Sequence, residues 1–145
     1  MNIYFACSIT GGREFELVYQ VITRALTEDN HHVPTAHLAE SGIISLEAII
    51  DPFEVYSRDV NWIRACDVLI AEVSAPSHGV GYEIGYALGL GKPVLALYQE
   101  GCRVSKMISG NPDPNLLVMA YESPERAVEI LRGFLSEYLI SEKHH

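Results

Sequence analysis

The stretch Val68-Leu-Ile-Ala-Glu-Val-Ser-Ala-Pro-Ser-His-Gly-Val-Gly-Tyr-Glu-Ile-Gly-Tyr-Ala-Leu-Gly-Leu-Gly91 decides the fold. Its opening apolar run is typical of a buried strand. A turn of small polar residues follows, and a helical pattern then runs from about Gly81 to Leu90, with Gly91 as a left-handed cap. This pattern places Glu83 in the first helical turn. Because a helix start stabilises negative charge, we expect an ionised carboxylate that is suited to act as a nucleophile.

The rest of the chain repeats this strand–turn–helix pattern. Further strands are predicted at residues 2–7, 32–37, 92–98 and 116–121, and helices at residues 15–30, 51–65 and 123–135. Asp51 before Pro52 and Ser123 before Pro124 are helix-start signals. The pattern predicts one α/β domain over residues 1–145, a doubly wound sandwich with a five-stranded parallel sheet in a flavodoxin-like or Rossmann-like order.

Composition narrows the range of partners. The net charge is −9 and the basic residues do not cluster, which argues against binding a nucleic-acid polymer. One small phosphorylated ligand remains compatible with this charge, because N–H groups and hydroxyls can hold a phosphate. The three cysteines lack metal or disulfide spacing, and the sequence shows neither a signal peptide nor an apolar run of the ~20 residues that span a bilayer. We therefore expect a cytoplasmic protein with no membrane partner.

Three features have two interpretations each. The turn Ser8-Ile-Thr-Gly-Gly-Arg13 is either a tight turn that needs glycine or a polar ligand site at the end of the first strand. His37 is either a surface histidine or a ligand contact. Asp59 shares a helix face with apolar residues, so it either pairs with Arg58 or Arg64 or faces a cleft.

Two carboxylates from different helices, Asp59 and Glu83, are expected to meet at the carboxyl edge of the sheet. Tyr4 and several hydroxyls would lie at the same edge. A pair of acids in such surroundings is suited to cleaving a glycosidic bond through an oxocarbenium-like transition state.

Three motifs carry a resemblance over nearly the whole chain. They are Tyr4-Phe-x-x-Ser-Ile-x-Gly-Gly-Arg13, Arg58-Asp-Val-x-Trp62 and Glu72-Val-x-x-Pro-Ser-x-Gly-Val-Gly-Tyr-Glu-Ile-Gly85. Together they resemble the nucleoside 2-deoxyribosyltransferase superfamily, and more closely its hydrolase branch, the 2′-deoxynucleoside 5′-phosphate N-hydrolases.

The resemblance implies a role for each matching residue. Glu83 would be the nucleophile that takes the deoxyribosyl group, Tyr4 would orient it, and Asp59 would assist departure of the base and activate water. The implied substrate contacts are Cys7, Ser8, Ile9, Thr10, Gly11, Gly12, Arg13, Tyr19, His37, Ser77, Gly79, Ser105, Lys106 and Met107. The resemblance also implies a homodimer with a shared site, to which a neighbouring subunit donates the segment 105–107. It implies neither a cofactor nor a metal.

The residues expected near the 5′ position of the substrate favour the hydrolase branch. Ser8, Ser77 and Ser105 suit a 5′-phosphate, whereas a transferase acting on free nucleosides has an acid or amide there. Thr10 departs from the hydrolase pattern, in which a second arginine lies near the phosphate. The alternatives are base exchange, hydrolysis of ribonucleotides such as CMP, and a non-catalytic nucleotide-binding module. The last predicts that Asp59 is only ion-paired and that Glu83 only caps its own helix.

Overall fold

The structure is a computed structural model that describes residues 1–9 and 14–144, apart from the side chain of Ser45. Within those residues one parallel sheet has four strands in the order β1-β2-β3-β4. The strands are β1 (Ile3–Ala6), β2 (Val68–Glu72), β3 (Val94–Gln99) and β4 (Leu116–Tyr121). The predicted α/β class and the parallel sheet are confirmed.

The helices lie on both faces of the sheet. They are α1 (Glu16–Glu28), a 3₁₀ turn (Ala36–Ala39), α2 (Ile43–Glu47), α3 (Pro52–Ala65), α4 (His78–Gly89), α5 (Lys106–Ser109) and α6 (Pro124–Glu142). One core packs α1 and α6 against alternate strand residues such as Phe5 and Ile70. The other packs α3 and α4 against the intervening residues, among them Tyr4 and Leu69. Because side chains alternate along a strand, Tyr4 faces the α3–α4 layer and Phe5 faces the α1–α6 layer.

The predicted fifth strand at residues 32–37 is wrong. The chain does pass along the outer side of β1, but there it forms a single parallel bridge between Asn2 and His32. Pro34 has no N–H to donate, and the chain turns away after it into the 3₁₀ turn. The Thr35 hydroxyl then accepts the Phe5 N–H at 2.9 Å. The buried Thr35 side chain thus makes the hydrogen bond to β1 that the backbone of a fifth strand would have made.

The starts of three helices are set by side chains that accept a hydrogen bond from an N–H group of the first turn. Asp51 and Ser123 cap α3 and α6 as predicted, by accepting the N–H of Phe53 at 2.8 Å and of Arg126 at 3.2 Å. α4 begins three residues earlier than predicted, at His78, because the Ser77 hydroxyl accepts the Val80 N–H at 3.3 Å. Gly91 has φ +75°, as its expected left-handed conformation requires.

A buried carboxylate joins the carboxyl ends of three strands. Glu72, at the end of β2, accepts hydrogen bonds from the Tyr121 hydroxyl and from both the N–H and the hydroxyl of Ser74. The Ser74 hydroxyl in turn accepts the Gln99 N–H at 2.7 Å. Burial raises the pKa of Glu72, while its three donors act in the opposite direction. This network fixes the start of the turn that leads to Ser77 and α4.

No described helix is both long enough and apolar enough to cross a membrane.

Candidate active site

Glu83 projects from α4 toward the layer formed by α3 and β1. Burial, the largest effect, and the Asp59 charge raise the pKa of Glu83 to about 7, against the lowering effects of Tyr4 and Arg58. These effects place Glu83, Asp59, Tyr4 and Arg58 in one electrostatic cluster at the carboxyl edge of β1 and β2. The predicted meeting of the two carboxylates is therefore present in the structure.

The expectation that the helix start keeps Glu83 ionised is wrong for this structure. Since α4 begins at His78, Glu83 lies in its second turn, and the charge effect of a helix terminus falls off within the first. Burial is consequently the largest effect on the Glu83 carboxyl group, and it raises the Glu83 pKa instead of lowering it. Glu83 also does not cap α4, because Ser77 does.

Tyr4 supplies a phenol from the middle of β1. Its side chain is fully buried, and its hydroxyl has no close hydrogen-bond partner among the described residues. Burial raises the Tyr4 pKa, with further contributions from the negative charges of Glu83 and Asp59. The phenol stays protonated at neutral pH as a result. It can therefore donate a hydrogen bond toward the Glu83 carboxylate, and it does not act as a second anionic nucleophile.

Asp59 is both ion-paired and directed to the cluster. Arg58 Nε donates to Asp59 Oδ1 at 2.8 Å, which is the ion pair that the non-catalytic alternative predicts. Burial nevertheless raises the Asp59 pKa, and Arg58 only partly offsets that effect. A carboxyl group that holds its proton above its usual range is suited to donate it to a leaving group.

Glu47 and Trp62 both contact Arg58, and neither was given a role by the sequence analysis, although Trp62 ends the motif Arg58-Asp-Val-x-Trp62. The second arm of Arg58, Nη2, donates to Glu47 Oε1 at 3.0 Å. The Arg58 guanidinium also lies over Trp62, at 5.1 Å from the ring centroid. Glu47 lies in a segment without clear periodicity, so no pattern pointed to it. The motif Arg58-Asp-Val-x-Trp62 was the sequence feature that pointed to these contacts of Arg58.

His37 lies at the border of this group. It is in the 3₁₀ turn, with its ring edge-to-face against Trp62 at 5.9 Å, and its Nε2 is 3.7 Å from Glu47 Oε1. Through Glu47 and Trp62 it is thus connected to the Asp59 side of the cluster. A contact between His37 and a ligand stays a prediction.

Ser77 and Gly79 border Glu83. A Cβ atom built on Gly79 would be 3.6 Å from Glu83 Oε1 and 3.9 Å from Ser77 Oγ. The two side-chain oxygens therefore lie on either side of the Gly79 Cβ position, next to the start of α4. The Ser77 oxygen accepts a backbone N–H, so its hydroxyl proton is still available to a ligand.

The segment 105–107 lies on the other flank of α4. Ser105, Lys106 and Met107 line a groove of about 1040 Å³ together with the start of α4. Ser77, at the start of α4, lines this groove as well, whereas Glu83 does not. Ser77 and Ser105 of one chain thus border the same groove.

Of the remaining predicted substrate contacts, the structure describes four and leaves four outside the described residues. Cys7, Ser8 and Tyr19 are buried, and Tyr19 packs against Phe5 in the α1–α6 core rather than beside Glu83. Ile9 is partly buried at the end of β1. The predictions for Thr10, Gly11, Gly12 and Arg13 lie outside the described residues.

The family model for nucleoside 2-deoxyribosyltransferases matches residues 3–129. The chain belongs to this family. The matched span includes β1, the helices α3 and α4, and the segment 105–107, and hence every described residue of the site.

Individual members of the nucleoside 2-deoxyribosyltransferase family resemble the chain over most of its length. A Methanosarcina mazei protein named "Putative 2′-deoxynucleoside 5′-phosphate N-hydrolase 1" is 39% identical over 134 residues, 92% of this chain and 83% of its own. The mouse 5-hydroxymethyl-dUMP N-hydrolase is 37% identical over 147 residues, 95% of this chain and 82% of its own. The pike protein of the same name is 38% identical and covers 95% of both chains.

A solved structure has the same fold. The CMP N-glycosidase of Clostridium botulinum superposes with a TM-score of 0.70 at 21% identity, over 91% of this chain and 98% of its own. At that identity, the likeness concerns the fold alone.

Among residues 1–9 and 14–144, no group of three His, Cys, Asp or Glu side chains is arranged to hold a metal ion. The chemistry that the described site offers is that of two carboxyl groups, a phenol and a guanidinium.

Proposed function

We propose that the protein hydrolyses the N-glycosidic bond of 2′-deoxynucleoside 5′-monophosphates, releasing the free base and 2-deoxyribose 5-phosphate. The names of the archaeal, mouse and pike relatives support this substrate class, at 37–39% identity. The observation that carries the proposal is the coupling of Glu83 with Asp59 and Tyr4 in one partly buried cluster. Two neighbouring carboxyl groups suit glycoside cleavage, which needs one anion and one proton donor.

In the first step the ionised Glu83 attacks C1′ of the sugar. A bond forms between the carboxylate oxygen and C1′ while the bond from C1′ to the base nitrogen breaks. The bonding electron pair leaves with the base, which receives a proton from Asp59. Tyr4 donates toward the Glu83 carboxylate and orients it for attack.

In the second step water replaces Glu83 on the sugar. Asp59, now ionised, takes a proton from the water as its oxygen attacks C1′, and the ester bond to Glu83 breaks. The products balance one nucleotide and one water, and both carboxyl groups return to their starting protonation states.

The 5′-phosphate would be held by hydroxyls near the start of α4. Ser77 lies beside Glu83 across Gly79 and keeps its hydroxyl proton for a phosphate oxygen. Ser8, two residues after β1, and residues 10–13, which lie outside the described part of the chain, are the further candidates from the same chain.

Ser105 would be supplied by a second copy of the chain in a homodimer. Two observations support this arrangement: Glu83 is not among the residues that line the groove beside Ser105, and Met107 is 83% exposed next to this apolar groove. An exposed methionine next to such a groove is typical of a surface that another chain covers. The Ser105 oxygen accepts the Met107 N–H at 3.2 Å, so its proton is free for a phosphate as well.

Base exchange between deoxynucleosides is the second candidate, because the matching family model is that of the deoxyribosyltransferases. It shares the first step and differs only in that a second base, instead of water, attacks the sugar on Glu83.

One experiment separates the two candidates. The protein is incubated with each common dNMP, and separately with a deoxynucleoside plus a second base, and the products are separated by chromatography. The proposal predicts free base and deoxyribose 5-phosphate from at least one dNMP. Transfer between bases without base release from any dNMP would contradict it.

A further inference from the structure

Arg58 contacts two carboxylates and one aromatic ring at once. Nε donates to Asp59 at 2.8 Å, Nη2 donates to Glu47 at 3.0 Å, and the guanidinium lies 5.1 Å from the Trp62 ring centroid. Its side chain is only 23% exposed, and those of Glu47 and Asp59 are 11% and 18% exposed. Ion pairs so shielded from water keep a fixed geometry better than surface pairs do.

The pairing of Arg58 with its neighbour Asp59 depends on the other two contacts. Adjacent residues on a helix project in different directions, so the Arg58 side chain must bend across the helix to reach Asp59. Glu47, from α2, and Trp62, one turn further along α3, hold the guanidinium in that bent position. The planar guanidinium can serve two carboxylates in fixed directions, whereas a lysine ammonium cannot.

We propose that Arg58 is a positioning residue for the hydrolysis, which holds the Asp59 carboxyl group in the direction needed to protonate the departing base and is itself held by Glu47. This inference rests on the proposed role of Asp59. It adds a role for two residues, Arg58 and Glu47, which are not part of the two-carboxylate chemistry itself.

The arrangement also links Asp59 to the segment that carries His37. Glu47 Oε1 binds Arg58 and lies 3.7 Å from His37 Nε2, and Trp62 contacts both His37 and Arg58. A base that contacted His37 would thus lie against the same group that fixes Asp59. The charged and titratable groups that act on Asp59 and Glu83 are Arg58, Glu47, His37 and Tyr4, together with the two acids themselves.

The test uses Arg58→Met and Arg58→Lys, with Arg126→Met as the control. Methionine keeps the apolar stem without the charge, and lysine keeps the charge without the planar fork. Arg126 is an ion-paired arginine on α6, exposed and far along the chain from the site. We expect kcat for a dNMP to fall at least tenfold in Arg58→Met and several-fold in Arg58→Lys, with KM changed less than threefold. Arg126→Met should match wild type.

A pH profile separates positioning from loss of structure. Because Arg58 favours the ionised forms of Asp59 and Glu83, Arg58→Met should move the acidic limb of kcat to higher pH. A lower kcat with an unmoved limb and a reduced melting temperature would indicate a structural role only, and would overturn the proposal.

Double-mutant cycles decide whether Arg58 acts through Asp59. Arg58→Met should add less than twofold to the loss caused by Asp59→Asn, and Glu47→Gln should have no further effect once Arg58 is replaced. Multiplicative losses in either pair would contradict the proposal. If Asp59→Asn itself keeps wild-type turnover, the proposed function fails instead. If Asp59→Asn is impaired while Arg58→Met is not, only the role of Arg58 fails.

Discussion

Glu83 and Ser77 flank Gly79 so closely that one added carbon atom would contact both side chains. A Cβ atom on Gly79 would be 3.6 Å from Glu83 Oε1 and 3.9 Å from Ser77 Oγ, which are ordinary contact distances. The glycine therefore leaves open the volume through which the sugar and its 5′ carbon would pass between nucleophile and phosphate contact.

Gly79→Ala should lower kcat/KM for a dNMP by at least about tenfold, because the methyl group would occupy substrate space next to Glu83. The fold should tolerate the change and become about 0.5–1 kcal/mol more stable, since alanine is a better helix former than glycine. Gly133→Ala in α6, with no atom within 4 Å of the added carbon, is the matched control. Unchanged kcat/KM in Gly79→Ala would show that substrate does not pass there.

The pH dependence of kcat/KM should report the ionisation of Glu83. The nucleophile must be ionised, and burial raises its pKa to about 7, so activity should rise through that pH. The Tyr4 phenol acts to lower the Glu83 pKa, so Tyr4→Phe should move this acidic limb to higher pH. Initial rates between pH 5 and 9 measure both effects. A limb at the same pH in wild type and Tyr4→Phe would indicate that Tyr4 does not act on Glu83.

Glu83→Gln should abolish activity and stabilise the fold. A carboxyl group whose folded pKa lies above its unfolded pKa loses stability as pH rises between the two values. For Glu83 that window runs from its ordinary pKa of 4.5 to about 7. Removing the charge should therefore raise the free energy of unfolding by about 1–3 kcal/mol at pH 8.

The gain should vanish at pH 4, where Glu83 is protonated in both states. Glu137→Gln, an exposed position on α6, controls for the substitution itself. Urea denaturation at both pH values measures the difference. A gain that is the same at pH 4 and pH 8 would contradict the charge explanation.

Tyr121→Phe should destabilise the fold by about 1–3 kcal/mol, because it removes a donor from the buried Glu72 carboxylate. The loss of that donor raises the folded-state pKa of Glu72 further, so the penalty should be larger at pH 8 than at pH 5. Tyr138→Phe removes an exposed hydroxyl bound to Glu142 at 3.1 Å, and should cost far less. Equal penalties for the two tyrosines would argue against the buried network.

The sequence predicted the elements whose signals are local. The caps Asp51 and Ser123, the glycine turn at Gly91 and the runs of buried strand residues depend on a few neighbouring residues, and four of the five strands were found. The fifth failed because one distant hydroxyl, Thr35, satisfies the Phe5 N–H that a strand would have met. Pro34 favours the edge of a sheet, because it has no N–H to donate, but it does not by itself predict that the chain turns away.

The site residues that belong to a sequence motif were predicted. Contacts between segments that are far apart in the sequence were not. Glu83, Asp59 and Tyr4 are brought together as expected. The Glu83 pKa was predicted in the wrong direction, because a one-turn error in the start of α4 changed the balance between helix terminus and burial. Glu47 was missed because its partner is eleven residues away in the sequence, in a different helix.

The central claim is that the Glu83 carboxylate attacks the sugar of a dNMP. The most direct test measures base release at saturating dNMP by wild type and Glu83→Gln, with folding of the variant verified by its melting temperature. We expect a loss of at least about 10³-fold in kcat, because the variant lacks the covalent nucleophile. A rate within tenfold of wild type would contradict it.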